Sequence, residues 1–425
     1  MKRKSRGIHY GWVILAMGMI AALGAHGFGR MAYTLILPAM KEGLALSYTQ
    51  AGLLGTANFL GYLISAFCGG FLATRFNSRF VIGFSLLLMG CTMFLTGLAQ
   101  SFSWAFAMRF LTGLGHGSAY VPSMALGSVW FAKRYRGFAT GVVSSGTGIG
   151  IVLGALLVPR ILAVVGPSGW RYAWFCLGAA LATISFVCLT FLRPRPESLG
   201  LSPIGRDRTD DTEPRGTGDN PPDWRSVYRI RTIWHFGAVY FTFGLSYVIY
   251  LTFFAAYLRS EIGWSTAQAS DLWGLVGMLT IFCGLIWGTL SDHVGRNRGL
   301  ALAFFILTLS YLLFAFVKTA PALYLSAVLF GLTYAGIPTI MAAAAGDHLG
   351  RRLAPAGLGF LTLFFGIGQA LGPAAGGYLA EICHTFTWSY TLAAAAAAIG
   401  MMGSLLLPSA ATAGTEPLPL ASRST

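Results

Sequence analysis

The chain is 425 residues long, 55% hydrophobic and only 10% charged, with a mean hydropathy of +0.66. Soluble domains carry about 25% charged residues, so this composition excludes a soluble globular protein. The net charge of +15 would suit a nucleic-acid binder, but the cations are spread over short loops between apolar runs, which excludes nucleic acid as a partner.

A hydrocarbon core about 30 Å thick needs about 20 apolar residues per helix. Twelve such runs are read at 12–37, 49–73, 80–98, 103–131, 137–165, 170–192, 233–258, 266–291, 299–317, 320–345, 354–380 and 386–407. Lys2, Arg3, Lys4 and Arg6 precede the first. Its apolar stretch is too long for a signal-peptide h-region, so it is expected to stay. Within it His26, Arg30 and Tyr33 fall at i−4, i and i+3 of one helical face, and Gly27 and Gly29 leave room for a ligand or an unwound turn. An arginine at the bilayer centre costs at least about 2.5–3.5 kcal/mol and must face a cavity or a partner. The Arg30 guanidinium can hold a carboxylate in a two-bond fork; capping the carbonyls of a broken helix, or snorkelling outward, are the alternatives.

The second run ends in the basic turn Gly70-Phe-Leu-Ala-Thr-Arg75-Phe-Asn77-Ser-Arg79. The fourth holds Arg109, with His116 and Tyr120 following at i+7 and i+11 and pointing roughly the same way. The glycines of the fifth run, Gly146, Gly148, Gly150 and Gly154, allow close helix approach. No strand precedes them, which argues against a phosphate loop. From Arg193 to Arg231 six prolines and interleaved charges predict a mobile linker. The chain is thus divided into a six-helix half at 1–192, the linker at 193–231, a second half at 232–410 and a disordered tail at 411–425. In the second half Tyr247 and Tyr250 of the seventh run, Trp273 near Asp271 in the eighth, Tyr334 in the tenth and Gln369 in the eleventh are candidates to line a cavity between the halves. The six cysteines show no C-x-x-C or Cys/His spacing and imply neither disulfide nor metal.

A second basic turn, Gly288-Thr-Leu-Ser-Asp292-His-Val-Gly295-Arg296-Asn-Arg298, follows the first at 218 residues. Its form, G-x-x-x-D-x-x-G-R-x-R, resembles the loop joining the second and third helices in each half of major facilitator superfamily transporters. Arg109-Phe-Leu-Thr-Gly113-Leu-Gly115-His-Gly117 resembles the superfamily's fourth-helix R-x-x-x-G-x-G-x-G motif, and Gly372-Pro373-Ala-Ala-Gly376-Gly377 its G-P-x-x-G-G motif. Trp130-Phe131, Arg136-Gly137 and the Arg193–Gly205 segment resemble the oxalate:formate antiporter and monocarboxylate-transporter branch. The resemblance implies an all-α membrane protein of twelve transmembrane helices in two pseudo-symmetric six-helix bundles. It also implies gating or coupling roles for Arg109, Arg75, Arg79, Asp292 and Arg296. The first loop departs from the pattern, with Thr74 in place of Asp and Asn77 in place of Gly, so its charge relay is expected to be weaker.

Of the Lys and Arg residues in loops and tails, only Lys41, Arg160, Arg171, Arg259 and Lys318 fall on the side opposite the N-terminus. The positive-inside rule therefore places both termini in the cytoplasm, and a bacterial inner membrane is expected. Asp271 is the only carboxylate within a run, because Glu42, Glu261 and Glu381 fall at outer ends and Asp292 and Asp347 at inner ones. A cavity with arginines and little negative charge favours an anion. The expected function is secondary transport of a small, monocarboxylate-like organic anion by alternating access, without a cofactor. Coupling would be proton symport through His26, His116 or Asp271, or anion exchange. The partners are the bilayer, the anion and protons, and the chain is expected to work as a monomer. An exporter of hydrophobic or drug-like compounds is the alternative on the same fold, and a non-transporting receptor or scaffold a further one. An enzyme is not expected, since no nucleophile elbow or paired carboxylate occurs in any loop.

Overall fold

The structure, a computed structural model, describes the backbone of residues 9–132, 135–205 and 229–407, and their side chains except at 67–75, 128, 285, 346 and 349–356. Most of the expected linker and the tail at 411–425 lie outside the described residues. Span 1 is built in three pieces: an α-helix Tyr10–Ala22, a π-wound stretch Leu23–Met31 and an α-helix Tyr33–Gly43. Spans 2 to 6 are Tyr48–Phe76, Ser78–Gly97, Phe102–Trp130, Arg136–Val165 and Gly169–Phe191. Spans 7 to 9 are Arg231–Ser260, Thr266–Val294 and Arg296–Phe316. Span 10 opens as Ala320–Gly331, breaks over residues 332–335 and resumes at Gly336; span 12 is Thr387–Leu405.

All twelve expected crossings are present. One expected boundary is corrected: instead of a loop around Arg351 and Arg352, helix runs without interruption over Gly336–Ile382. This one element supplies the second part of span 10 and the whole of span 11, turning back between them: His348 lies on Phe236 and Phe364 against Gly237, neighbouring residues of span 7.

The duplication is physical as well as sequential. Ser47 caps span 2 and Gln50 reaches back to its backbone, and Ser265 and Gln268 build the same capping box on span 8. Each box opens a helix of 29 residues. Each helix then ends on a residue of positive φ, Asn77 at 71° and Gly295 at 90°, which also starts the next helix. Asn77 departs from the loop pattern, as Thr74 does, yet it turns with the same sign of φ as its glycine counterpart, at ψ 117° against 149°, outside the αL well that asparagine tolerates. Its Oδ1 also accepts the Arg79 N–H at 3.0 Å. We expect Asn77→Gly to hold or raise stability by relieving the strain of that backbone conformation, and Asn77→Val to cost about 1–2 kcal/mol, read as detergent-state melting midpoints.

Residues at the beginning of the expected linker are docked on the first half. Ile204 and Phe131 form an isolated parallel bridge, with Ala132 N donating to Ile204 O at 2.9 Å and Ile204 N to Trp130 O at 2.9 Å. The two stretches that resemble the oxalate:formate and monocarboxylate branch are thus in contact with each other. The halves meet from the membrane middle toward the face opposite the termini. Thr34 Oγ1 donates to Leu251 O, Thr56 Oγ1 to Ala370 O and Thr49 N to Glu381. The Arg259 guanidinium lies 3.9 Å from Glu42.

Candidate functional site

The π winding sets the geometry of the site. Ala32 N bonds to Gly27 O at 3.1 Å, an i→i−5 bond, and Gly27 lies so close to Gly150 of span 5 that a Cβ there would sit 2.5 Å from Gly150 Cα. The wider turn alters the expected common face. His26, Arg30 and Tyr33 do not converge on one point: each finds a different neighbour.

Arg30 reaches into the second half. It is 7% exposed, its Nη2 donates to the Tyr247 hydroxyl, and its guanidinium lies 4.1 Å over the Phe59 ring and 5.5 Å over Tyr62. Gln369 Nε2 donates to the same hydroxyl, so spans 1, 7 and 11 meet at a single oxygen. Tyr247 is held in place by near-parallel stacking on Phe243, Phe365 and Tyr334. Tyr334 sits in the break of span 10, whose Leu332 carbonyl accepts the Trp287 indole N–H at 2.7 Å. Arg30 Nε and Gln369 Oε1 are buried without a partner.

Arg109 is 1% exposed. Its Nη1 donates to Gly29 O at 3.1 Å, within the π segment, and its guanidinium stacks over Tyr33 at 4.7 Å and Trp174 at 5.1 Å, leaving Nε without a partner. Tyr33 spends its hydroxyl on Ala51 O at 2.7 Å and so supports Arg109 with its ring. Both arginines line one small pocket of about 20 Å³ with Thr34, Asn58, Phe59 and Thr252, enough for a single water. His26 instead pairs with His116, Nδ1 to Nε2 at 3.2 Å, beside Tyr120 and Tyr62. No carboxylate is buried among the described residues. The two guanidinium charges therefore have aromatic faces, hydroxyls and carbonyls around them but no counter-charge.

Residues 21–405 match the family model described as "Uncharacterised MFS-type transporter YbfB". The chain belongs to this family of the major facilitator superfamily (MFS). It is 27% identical over 397 residues to a probable sulfoacetate transporter from Cupriavidus necator, covering 89% of each chain. It is 25% identical over 381 residues to a cis,cis-muconate transport protein from Acinetobacter baylyi, covering 85% of this chain and 90% of that one. Its fold is similar to that of a bacterial homologue of the human lysosomal transporter Spinster, with a TM-score of 0.71, 19% identity and 96% and 95% of the two chains covered. It is also similar to that of the nucleoside transporter NupG, with a TM-score of 0.73, 13% identity and 93% and 99% covered. The protein is therefore a membrane transporter of the MFS type and not an enzyme.

Within this MFS frame the remaining candidates are placed as follows. The second basic loop forms an ion network: Arg296 Nη1 lies 2.6 Å from Asp292 and its Nε 2.8 Å from Asp347, while Ser291 Oγ accepts at 2.7 Å. Asp347, at the far end of span 10, was not among the candidates; the Gly-Asp-His sequence that follows an apolar run was the available signal. In the first loop Arg79 donates to the Leu189 carbonyl instead of a carboxylate, and the Arg75 side chain lies outside the described residues. Three expectations are corrected. Asp271 is exposed, between buried Ser270 and Leu272, and does not line the pocket shared by Arg30 and Arg109. Tyr250 bonds to Ser326 at 2.9 Å and stacks on Phe330. Trp273 packs on Phe254, which itself lies against Tyr250. Tyr250 and Trp273 belong to an aromatic core of the second half and not to the ring around Arg30. Asn58, Phe59, Tyr62 and Phe365 belong to the site and were missed, being short or apolar residues in runs that read as ordinary span.

Proposed function

We propose that the protein carries a small organic anion across the membrane by alternating access, with Arg30, Tyr247 and Gln369 as its anchor. One observation carries this reading: a buried arginine of the first half is bonded to the second half in a site without a buried carboxylate among the described residues. Burying a guanidinium without a counter-ion costs several kcal/mol, and an anion removes that cost. Arg30, Tyr247 and Gln369 come from both halves, so an anion seated there touches both and can be released when they part. The pocket between the arginines is far below the roughly 300–1,000 Å³ of a small-molecule site, which fits a closed state that must open to load.

Monocarboxylates need only Arg30. Sulfoacetate and cis,cis-muconate, for which two relatives are named, carry two acidic groups each, and Arg109 Nε offers a second group a place. The contact between Trp130-Phe131 and the Arg193–Gly205 segment supports kinship with the oxalate:formate and monocarboxylate branch. The bias of basic loops toward the face that carries the termini supports a cytoplasmic position for that face in a bacterial inner membrane. Arg109, His116 and the Asp292–Arg296–Asp347 network are the proposed gating and coupling groups of a monomeric transporter.

The test is thermal unfolding of purified protein against short mono- and dicarboxylates, sulfonates, sugars and cationic drugs. A ligand at 100 times its dissociation constant stabilises by about 2.7 kcal/mol. We expect one class of acids to raise the midpoint. Stabilisation by drugs alone would replace the anion with the hydrophobic cargo that the Phe243, Tyr247 and Phe365 stack would otherwise suit, and stabilisation by sugars alone would overturn the anion reading.

A further inference from the structure

One pair of buried titratable groups has no role in holding the anion. His26 comes from the π-wound part of span 1 and His116 from span 4, with ring centroids 5.0 Å apart and planes at 67°. Tyr62 of span 2 lies 4.8 Å from His116, and Tyr120 of span 4 lies 4.8 Å from His26. His116 Nδ1 is buried without a partner.

Imidazole chemistry fixes what the pair can hold. With one hydrogen between the facing nitrogens both rings are neutral, and of the two outer nitrogens one bears a hydrogen and the other a lone pair. A further proton can enter on that lone pair while the bridging hydrogen bond persists. Another would put hydrogens on both facing nitrogens and break it. The pair is a one-proton site.

The charged groups nearest it are Arg30, four residues on from His26, and Arg109. Tyr62 and Tyr120 are the titratable groups in ring contact with it, and Tyr62 touches the Arg30 guanidinium at 5.5 Å. From spans 3, 5 and 6 the neighbours at the glycine approaches of this part of span 1 are Met89, Gly146, Thr147, Gly150, Leu181 and Ile184, none of them charged. The pair thus lacks a negative neighbour until an anion reaches Arg30.

We propose that the His26–His116 pair is the proton site of the transporter, filled as an anion binds at Arg30, so that one proton moves with each anion. The coupling is reciprocal: an anion that favours protonation is bound more tightly when the pair is protonated. The inference rests on Arg30 as the anion anchor.

Two measurements test it. Calorimetry of anion binding to the wild-type protein, in buffers of different ionisation heat, is expected to show about one proton taken up per anion near neutral pH. Uptake of no proton would overturn the proposal. In proteoliposomes with an internal pH dye, His116→Gln is expected to reduce protons moved per anion from about one to below about one tenth, a ratio that does not depend on how much transport survives. An unchanged ratio would overturn it equally. Failure of the anion reading looks different: the wild-type protein then binds no organic acid in either assay.

Discussion

Arg30→Gln is expected to weaken anion binding by about 100-fold or more while the protein still folds. Two charge-assisted hydrogen bonds contribute about 1.5–3 kcal/mol each, more than glutamine can replace, and 2.7 kcal/mol corresponds to about 100-fold. Folding survives because the substitution removes a buried charge that no carboxylate balances, which is often neutral or stabilising. The melting midpoint without ligand should therefore hold or rise, while the shift produced by the anion disappears. Arg30→Lys keeps the charge but loses the planar fork, so it should fall between the two. Tyr247→Phe removes the hydroxyl that receives both Arg30 and Gln369, and should cost about tenfold in affinity, one neutral hydrogen bond's worth. The anchor assignment fails if Arg30→Gln binds the acid with unchanged affinity.

That Arg30 stands out in the bare sequence, and Tyr247 only as one of several tyrosines, is a matter of energy scale. A charge inside a membrane is expensive wherever it points, so its residue type alone marks it. A tyrosine is tolerated in a cavity, in a core or at an interface, and its role depends on which neighbour it meets. Tyr247 and Tyr250 are three residues apart, as on one helical face, yet one meets Arg30 and the other Ser326. That difference arises from packing between segments more than 70 residues apart in the chain.

The π turn is hidden for a related reason. Gly24, Gly27 and Gly29 are visible in the sequence, but the neighbours that come close to them, Ile184, Gly150 and Met89, belong to other spans. The loops are legible because they repeat. The 218-residue offset that relates Asn77 to Gly295 also relates the two Ser–Gln capping boxes, a second copy of the same signal. Asp271 misleads because its depth along span 8 can be counted while its direction cannot. One residue to either side it would have been buried.

Gly52→Leu is expected to reduce transport by at least about 100-fold while leaving the anion's stabilising effect in place. Span 2 lies so close to span 11 that a Cβ at Gly52 would sit 2.1 Å from the Pro373 carbonyl oxygen, and Gly377 approaches the Tyr48 carbonyl in the same way. Backbone atoms cannot swing aside as a flexible side chain can. Overpacking of this kind costs about 1–3 kcal/mol or more, all of it charged to the state in which the halves meet on the face opposite the termini. A bias of about 3 kcal/mol between two states that a transporter must visit in turn leaves the disfavoured one below about 1%, and the cycle stalls there. Arg30, Tyr247 and Gln369 do not touch Gly52, so the acid still binds the other state and still raises the melting midpoint. Gly359→Ala is the control, because a Cβ there meets nothing within 4 Å, and its transport should match the wild type. Uptake by Gly52→Leu at the wild-type rate would show that this closed face is no part of the cycle. Loss of both transport and stabilisation would place Gly52 in the binding site itself.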